Sequence, residues 1–224
     1  MADLSDPVPI SSIPNLNKGL SAAKVSTMIA AMGRPREPLS QHDCRDEQAS
    51  ASVKRLLGTR KITDHLSLRG IKPALDSVEA VLAKVKTANP ELIDQLRTEG
   101  MICVRHKNPT DGSISDEPSN HSWGTAIDFK LVGHEAPGNT GKVAPRWVAI
   151  MAPFFNEAGW YSGIGFHDTM HFEVADETIR KWKSDGVLGN VAPEDTVVAG
   201  AGGGGNVFSS IGGFFSGLFG GRRA

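Results

Sequence analysis

Apolar residues recur at helical spacing through the first half of the chain and fall into short strand-like runs only after residue 100. Leu75, Val78, Val81, Leu82 and Val85 lie three or four apart, so one face of a helix beginning near Pro73 is apolar. A proline in a first helical turn loses no hydrogen bond, because its missing N–H would have no partner there. Pro90 opens a shorter helix expected to stop at Gly100. Upstream, Ser21 is placed to cap a helix through Met32, which Gly33 and Pro35 end. A polar loop with His42, Asp43 and Cys44 follows, then a helix expected from Asp46 to Leu57 and stopped by Gly58. Residues 1–19 have no periodicity and read as an extended arm, with residues 20–65 as a helical N-terminal region.

Beyond Gly100, Met101–Val104, Ala126–Leu131 and His171–Val174 read as strands, with a helix around Pro145–Ala158 between the last two. Helices followed by short strands predict an α+β fold with a small antiparallel sheet. Composition adds exclusions. The formal net charge of −1 lacks the basic excess that nucleic-acid binding normally requires, so no nucleic-acid partner is expected. Two cysteines are too few for a disulfide framework or a Cys-rich zinc site, and Cys103, inside an apolar run, reads as a buried small hydrophobe. Met1–Pro7 carries neither a basic nor an apolar signal region, which predicts synthesis in the cytoplasm and some other exit route for work outside it. Many of the glycines gather beyond residue 199, so residues 195–224 read as a Gly-rich linker and tail.

The chemistry gathers in two places. Ser119-Asn120-His121-Ser122-Trp123-Gly124-Thr125-Ala126-Ile127-Asp128 holds a histidine and an aspartate seven apart. In an unbroken strand that odd separation would send them to opposite faces, and Gly124 supplies a bend that can reunite them. Gly163-Ile164-Gly165-Phe166-His167-Asp168-Thr169-Met170-His171-Phe172-Glu173-Val174 brings a second imidazole, with Phe172 and Val174 free to face a core while His171 and Glu173 share the other face. Two imidazoles and one carboxylate form a common zinc set with a fourth position left for water.

The ordered residues Ser119, His121, Gly124, Ala126 and Asp128, then Asp168, His171, Phe172 and Glu173, resemble the zinc D-alanyl-D-alanine carboxypeptidase and L-alanyl-D-glutamate endopeptidase family. That family includes phage endolysins and shares its fold with the hedgehog signalling domain. Leu68-Arg69-Gly70-Ile71-Lys72-Pro73-Ala74-Leu75 is similar to the family's lead into its first core helix. The resemblance covers about residues 66–176 and implies a zinc peptidase domain over 66–194, acting on peptidoglycan at the cell wall. It implies one Zn2+ per chain on His121, Asp128 and His171. Asp168 matches the catalytic carboxylate and Arg105, more loosely, an arginine that pairs with a substrate carboxylate or polarises the scissile carbonyl. Aspartate rather than glutamate at 168 is more like the endolysin-type L-alanyl-D-glutamate endopeptidases.

Several assignments stay open at this level. Ser119 either touches substrate or holds its loop by hydrogen bonding. His167 is a fourth ligand, a group behind the ligands, or a loop histidine near the cleft. Glu173 rivals Asp168 as base or supports His171 from behind. Trp123 and Trp160 read as core or cleft wall, and His42, His65, His106 and His134 as solvated. A D,D-carboxypeptidase and a non-catalytic, zinc-stabilised wall-binding protein are the competing functions. In the tail, Phe208, Ile211, Phe215, Leu218 and Phe219 recur at helical spacing ahead of Arg222 and Arg223, a pattern suited to membrane contact and equally to a disordered end or one that docks on a partner or on the catalytic domain.

Overall fold

The computed structural model describes residues 3–108, 113–134 and 141–195, and the linker and tail expected at the C-terminus lie outside the described residues from 196 onward. In chain order its first elements are β1 (Pro7–Pro9), α1 (Val25–Met32), α2 (Ala51–Leu56), β2 (Leu57–Lys61), β3 (Ser67–Ile71), α3 (Lys72–Ala88) and α4 (Pro90–Gln95). Then come β4 (Leu96–Gly100), β5 (Ala126–Leu131), β6 (Val143–Pro145), α5 (Arg146–Glu157), β7 (Trp160–Ser162), β8 (His171–Val174) and α6 (Asp176–Ser184). The fold is α+β with small antiparallel sheets.

The apolar stripe of α3 buries Ala74, Leu75, Val78, Val81, Leu82 and Val85, and Pro73 occupies its first turn. α5 lies against α3 and buries Trp147, Val148, Met151, Ala152 and Phe155. β4, β5, β8 and β7 form one antiparallel sheet in that order. Phe155 joins helix to sheet, with ring centroids 5.8 Å from Phe129, 4.4 Å from Phe172 and 5.6 Å from Trp160. Alternation along β5 sends Ile127, Phe129 and Leu131 inward and leaves Asp128 and Lys130 partly exposed. β2 and β3 form a hairpin, and β1 pairs with β6.

Tertiary contacts override several local expectations. The helix expected at Ser21 begins at Val25, because residues 21–24 spend their backbone groups on α6 and β8 instead. The helix expected over Asp46–Leu57 breaks into a single 3-10 turn, Asp46–Gln48, and α2, whose cap Ser50 accepts the Val53 N–H. Leu57 then enters β2, so the N-terminal region is not helical throughout. The helix after Pro90 stops at Gln95, and Leu96–Gly100 becomes the edge strand β4, whose polar residues concealed it. Met101–Val104 is not a strand. Its Ile102 and Cys103 N–H groups go to Arg69 and His121 carbonyls, outside any ladder. Part of the expected arm is docked: Asn17 donates to the Ser162 carbonyl and accepts the Ser162 N–H.

The two cysteines also depart from expectation. Cys103 is not a free buried hydrophobe but forms a disulfide with Cys44, Cα atoms 4.7 Å apart. A partner 59 residues away is brought within reach only by folding. Nor are all the remaining histidines solvated: His65 Nε2 meets the Ile93 carbonyl at 3.2 Å, and the His106 side chain is largely buried.

Candidate metal centre

His121 sits on a 3-10 turn, Asn120–Trp123, that Ser119 caps by accepting the His121 N–H through its side chain. Gly124 ends the turn in a left-handed conformation, φ 64°. It also lies against Gly70, where an added Cβ would come 2.8 Å from the Gly124 carbonyl, so neither position has room for a side chain. The reversal at Gly124 lets the chain enter β5 with Asp128 on the same side as His121. Across the sheet, β5 and β8 pair with Asp128 opposite His171, which places the third group.

The three side chains converge. Asp128 Oδ2 is 3.3 Å from His121 Nε2, and Asp128 Oδ1 is 2.9 Å from His171 Nδ1. One potential ligand atom from each residue lies within 4.8 Å of the others, and this is the group so arranged among the described residues. The far nitrogen of each ring is anchored. His121 Nδ1 lies 3.0 Å from the Met101 carbonyl, which can only accept, so the proton belongs on Nδ1 and the Nε2 lone pair faces Asp128. His171 Nε2 lies 3.0 Å from Glu173 Oε2, an arrangement that leaves Nδ1 free to face the same point.

Electrostatics agree with a site for a cation. Burial pulls the His171 pKa down, but the Asp128 and Glu173 carboxylates outweigh it and hold it well above the usual value. Burial pushes Asp128 up, and the His121 and His171 rings, when they donate to it and carry the positive charge themselves in place of a bound cation, overcome this and hold it far below the usual carboxylate range. Glu173 is likewise lowered on balance, burial being offset by donors from His171, Asn120 and Ala23. The donor set of two imidazole nitrogens and a carboxylate, with both thiols tied up in a disulfide, fits zinc.

Asp168, Arg105, Ser119 and Glu173 line the same cleft, of about 400 Å³, as the three converging residues. Burial raises the Asp168 pKa, with Asp128 adding to the rise and His171, His121 and Arg105 opposing it. A carboxyl poised upward beside a cation site is suited to proton transfer. Glu173, by contrast, is 2% exposed with both oxygens engaged, which suits a supporting group better than a base. Arg105 is tied by its backbone to the Ser122 hydroxyl and by its guanidinium to the His106 carbonyl. His167 is left-handed, φ 70°, and stands outside the converging group, its ring toward Gly141. Trp123 and Trp160 are fully buried, their indole N–H groups donating to the Gly33 carbonyl and the Ser77 hydroxyl.

Sequence reasoning missed part of the lining. Ala22, Ala23, Lys107, Asn108 and Asn120 face the cleft, and Phe166 adds an aromatic wall 5.5 Å from the His171 ring. Phe166 stands in the same glycine-flanked run as Asp168, but nothing in the spacing of Ala22 or Ala23 hinted at the site. Comparison with curated proteins and with solved structures finds no match. Residues 113–174, which carry Ser119, His121, Asp128, Asp168, His171 and Glu173 but not Arg105, match the family described as D-alanyl-D-alanine carboxypeptidase.

Proposed function

We propose that this chain is a zinc-dependent peptidase acting on the stem peptides of bacterial peptidoglycan. The observation that carries the reading is the convergence of His121, Asp128 and His171 on one point, with Asp168 in the same cleft. Zinc bound there would polarise the scissile carbonyl and acidify a water molecule. Asp168 accepts the proton of the attacking water and delivers it to the leaving amine as the carbon–nitrogen bond breaks. Arg105 pairs with a substrate carboxylate or the carbonyl oxygen, and Ser119 holds the His121 turn at the cleft wall. A binding protein needs the ligands but no base, so Asp168 favours the enzyme.

Within this class we favour an endolysin-like L-alanyl-D-glutamate endopeptidase working at the cell wall, on the strength of aspartate at position 168. The matched family's description supports D-alanyl-D-alanine carboxypeptidase activity as the second reading. Digestion of purified peptidoglycan with mass spectrometry of the new termini separates them: new D-glutamate amino termini support the first, and free D-alanine as the only product supports the second. The apolar and arginine spacing of residues 206–224 supports a membrane-contacting tail. Equal liposome co-sedimentation of the full chain and of a chain ending at Val198 would remove that role.

A further inference from the structure

Glu173 anchors the far nitrogen of His171, and part of what anchors Glu173 comes from outside residues 113–174. Its Oε1 accepts the Ala23 N–H at 2.7 Å, and its Oε2 accepts Asn120 Nδ2 at 2.7 Å. Asn120 Nδ2 also reaches the Ala23 carbonyl at 3.2 Å. The segment bearing Ala23 is held from both sides by the start of α6. Glu177 accepts the Ser21 N–H at 2.9 Å, the Ser21 carbonyl accepts the Asp176 N–H at 3.0 Å, and Asp176 accepts the Lys24 N–H at 3.1 Å.

The orientation of Asn120 follows from its neighbours. The Ala23 carbonyl and the Glu173 carboxylate only accept, so the amide must turn its NH2 group toward both. Its Oδ1 is thereby left buried with no hydrogen-bond partner among the described residues. An unpaired buried acceptor is unfavourable, and a residue serving packing alone would not need one. Its Nδ2 supplies one hydrogen to each of the two acceptors, the Ala23 carbonyl and the Glu173 carboxylate.

We infer that Asn120 and the Ser21–Lys24 segment are positioning elements of the metal centre, holding Glu173 so that His171 presents Nδ1 to the point it shares with Asp128 and His121. This rests on the zinc reading above and extends it, making the N-terminal region part of the centre. Ala23 is then both cleft wall and outer brace, with Ala22 beside it on the wall.

The test uses the full chain with Asn120→Ala and Asn120→Asp. Zinc dissociation constants come from competition with a chromophoric chelator, visible spectra from the cobalt-loaded proteins, and melting of the metal-free proteins reports the fold. Asn120→Ala should weaken zinc binding about 10–100-fold and alter the cobalt spectrum in a protein whose metal-free form melts lower but still folds cooperatively. Asn120→Asp, equal in shape but with an acceptor in place of the donor, should weaken it at least as much. Native zinc affinity and cobalt spectra in both variants overturn the inference alone. If Asn120→Ala does not fold, Asn120→Asp decides: native affinity overturns the inference, weakened affinity supports it. A wild-type chain that binds no zinc overturns the zinc reading and this inference with it.

Discussion

Reducing the Cys44–Cys103 disulfide should lower stability more than any single surface change. The bond closes a loop spanning 59 residues. Chain entropy for such a loop, 2.1 + 1.5R ln n, is about 14 cal/mol/K, or about 4 kcal/mol at 25 °C. For a domain of this size that corresponds to a fall of roughly 8–16 °C in Tm. The bond also sits beside the candidate centre. Cys103 N–H donates to the His121 carbonyl at 3.2 Å, the neighbouring Met101 carbonyl accepts from His121 Nδ1, and the Arg45 N–H next to Cys44 donates to Val104. Loosening this junction should therefore weaken zinc binding as well as stability. Urea and thermal unfolding of oxidised protein, protein reduced with thiol counts verified, and Cys44→Ala/Cys103→Ala protein measure the first effect, and chelator competition measures the second. A Tm within about 2 °C across all three forms would refute the loop-entropy argument, because a cross-link of this span cannot be so nearly neutral unless the unfolded chain is already held together there.

Three further outcomes follow from the site and its supports. The purified protein should hold about one zinc per chain, with near-complete loss in His121→Ala, Asp128→Ala and His171→Ala; zinc retained in all three would refute the assignment. Asp168→Asn should keep zinc and lose on the order of 10²–10⁴-fold in rate, while Glu173→Gln should weaken zinc binding more than it slows the loaded enzyme. A dead, fully zinc-loaded Glu173→Gln with an active Asp168→Asn would reverse the roles. Asp195 accepts the Ala51 and Ser52 N–H groups at the start of α2, and although burial raises its pKa these bonds lower it on balance. A depressed carboxyl stabilises fully above its unfolded pKa, near ~4, and loses that contribution as pH falls through the folded value. Asp195→Ala should therefore cost about 2 kcal/mol at pH 7, and denaturant titrations should show the gap to wild type closing in acid; a gap constant down to pH 2 would contradict this.

What the chain's own residues reveal is what local spacing can encode. The 3.6-residue stripe of α3, the strand-like run Ala126–Leu131 and the glycine between His121 and Asp128 are each short-range patterns, and each takes the expected form. The three residues that converge, His121, Asp128 and His171, were legible for the same reason, since they stand in two short motifs rich in distinctive residue types. Elements whose partners lie far along the chain were not. Leu96–Gly100 is polar enough to pass for loop or helix until β5 pairs with it, and Ser21 would cap a helix if α6 did not claim its backbone. The register that sets Asp128 opposite His171, the bond between Cys44 and Cys103, and the meeting of Ala23 with Asn120 at Glu173 were decided by the tertiary structure alone. Contacts across 40 to 150 residues depend on the packing of the whole core, and no local period along the sequence records which distant groups that packing brings together.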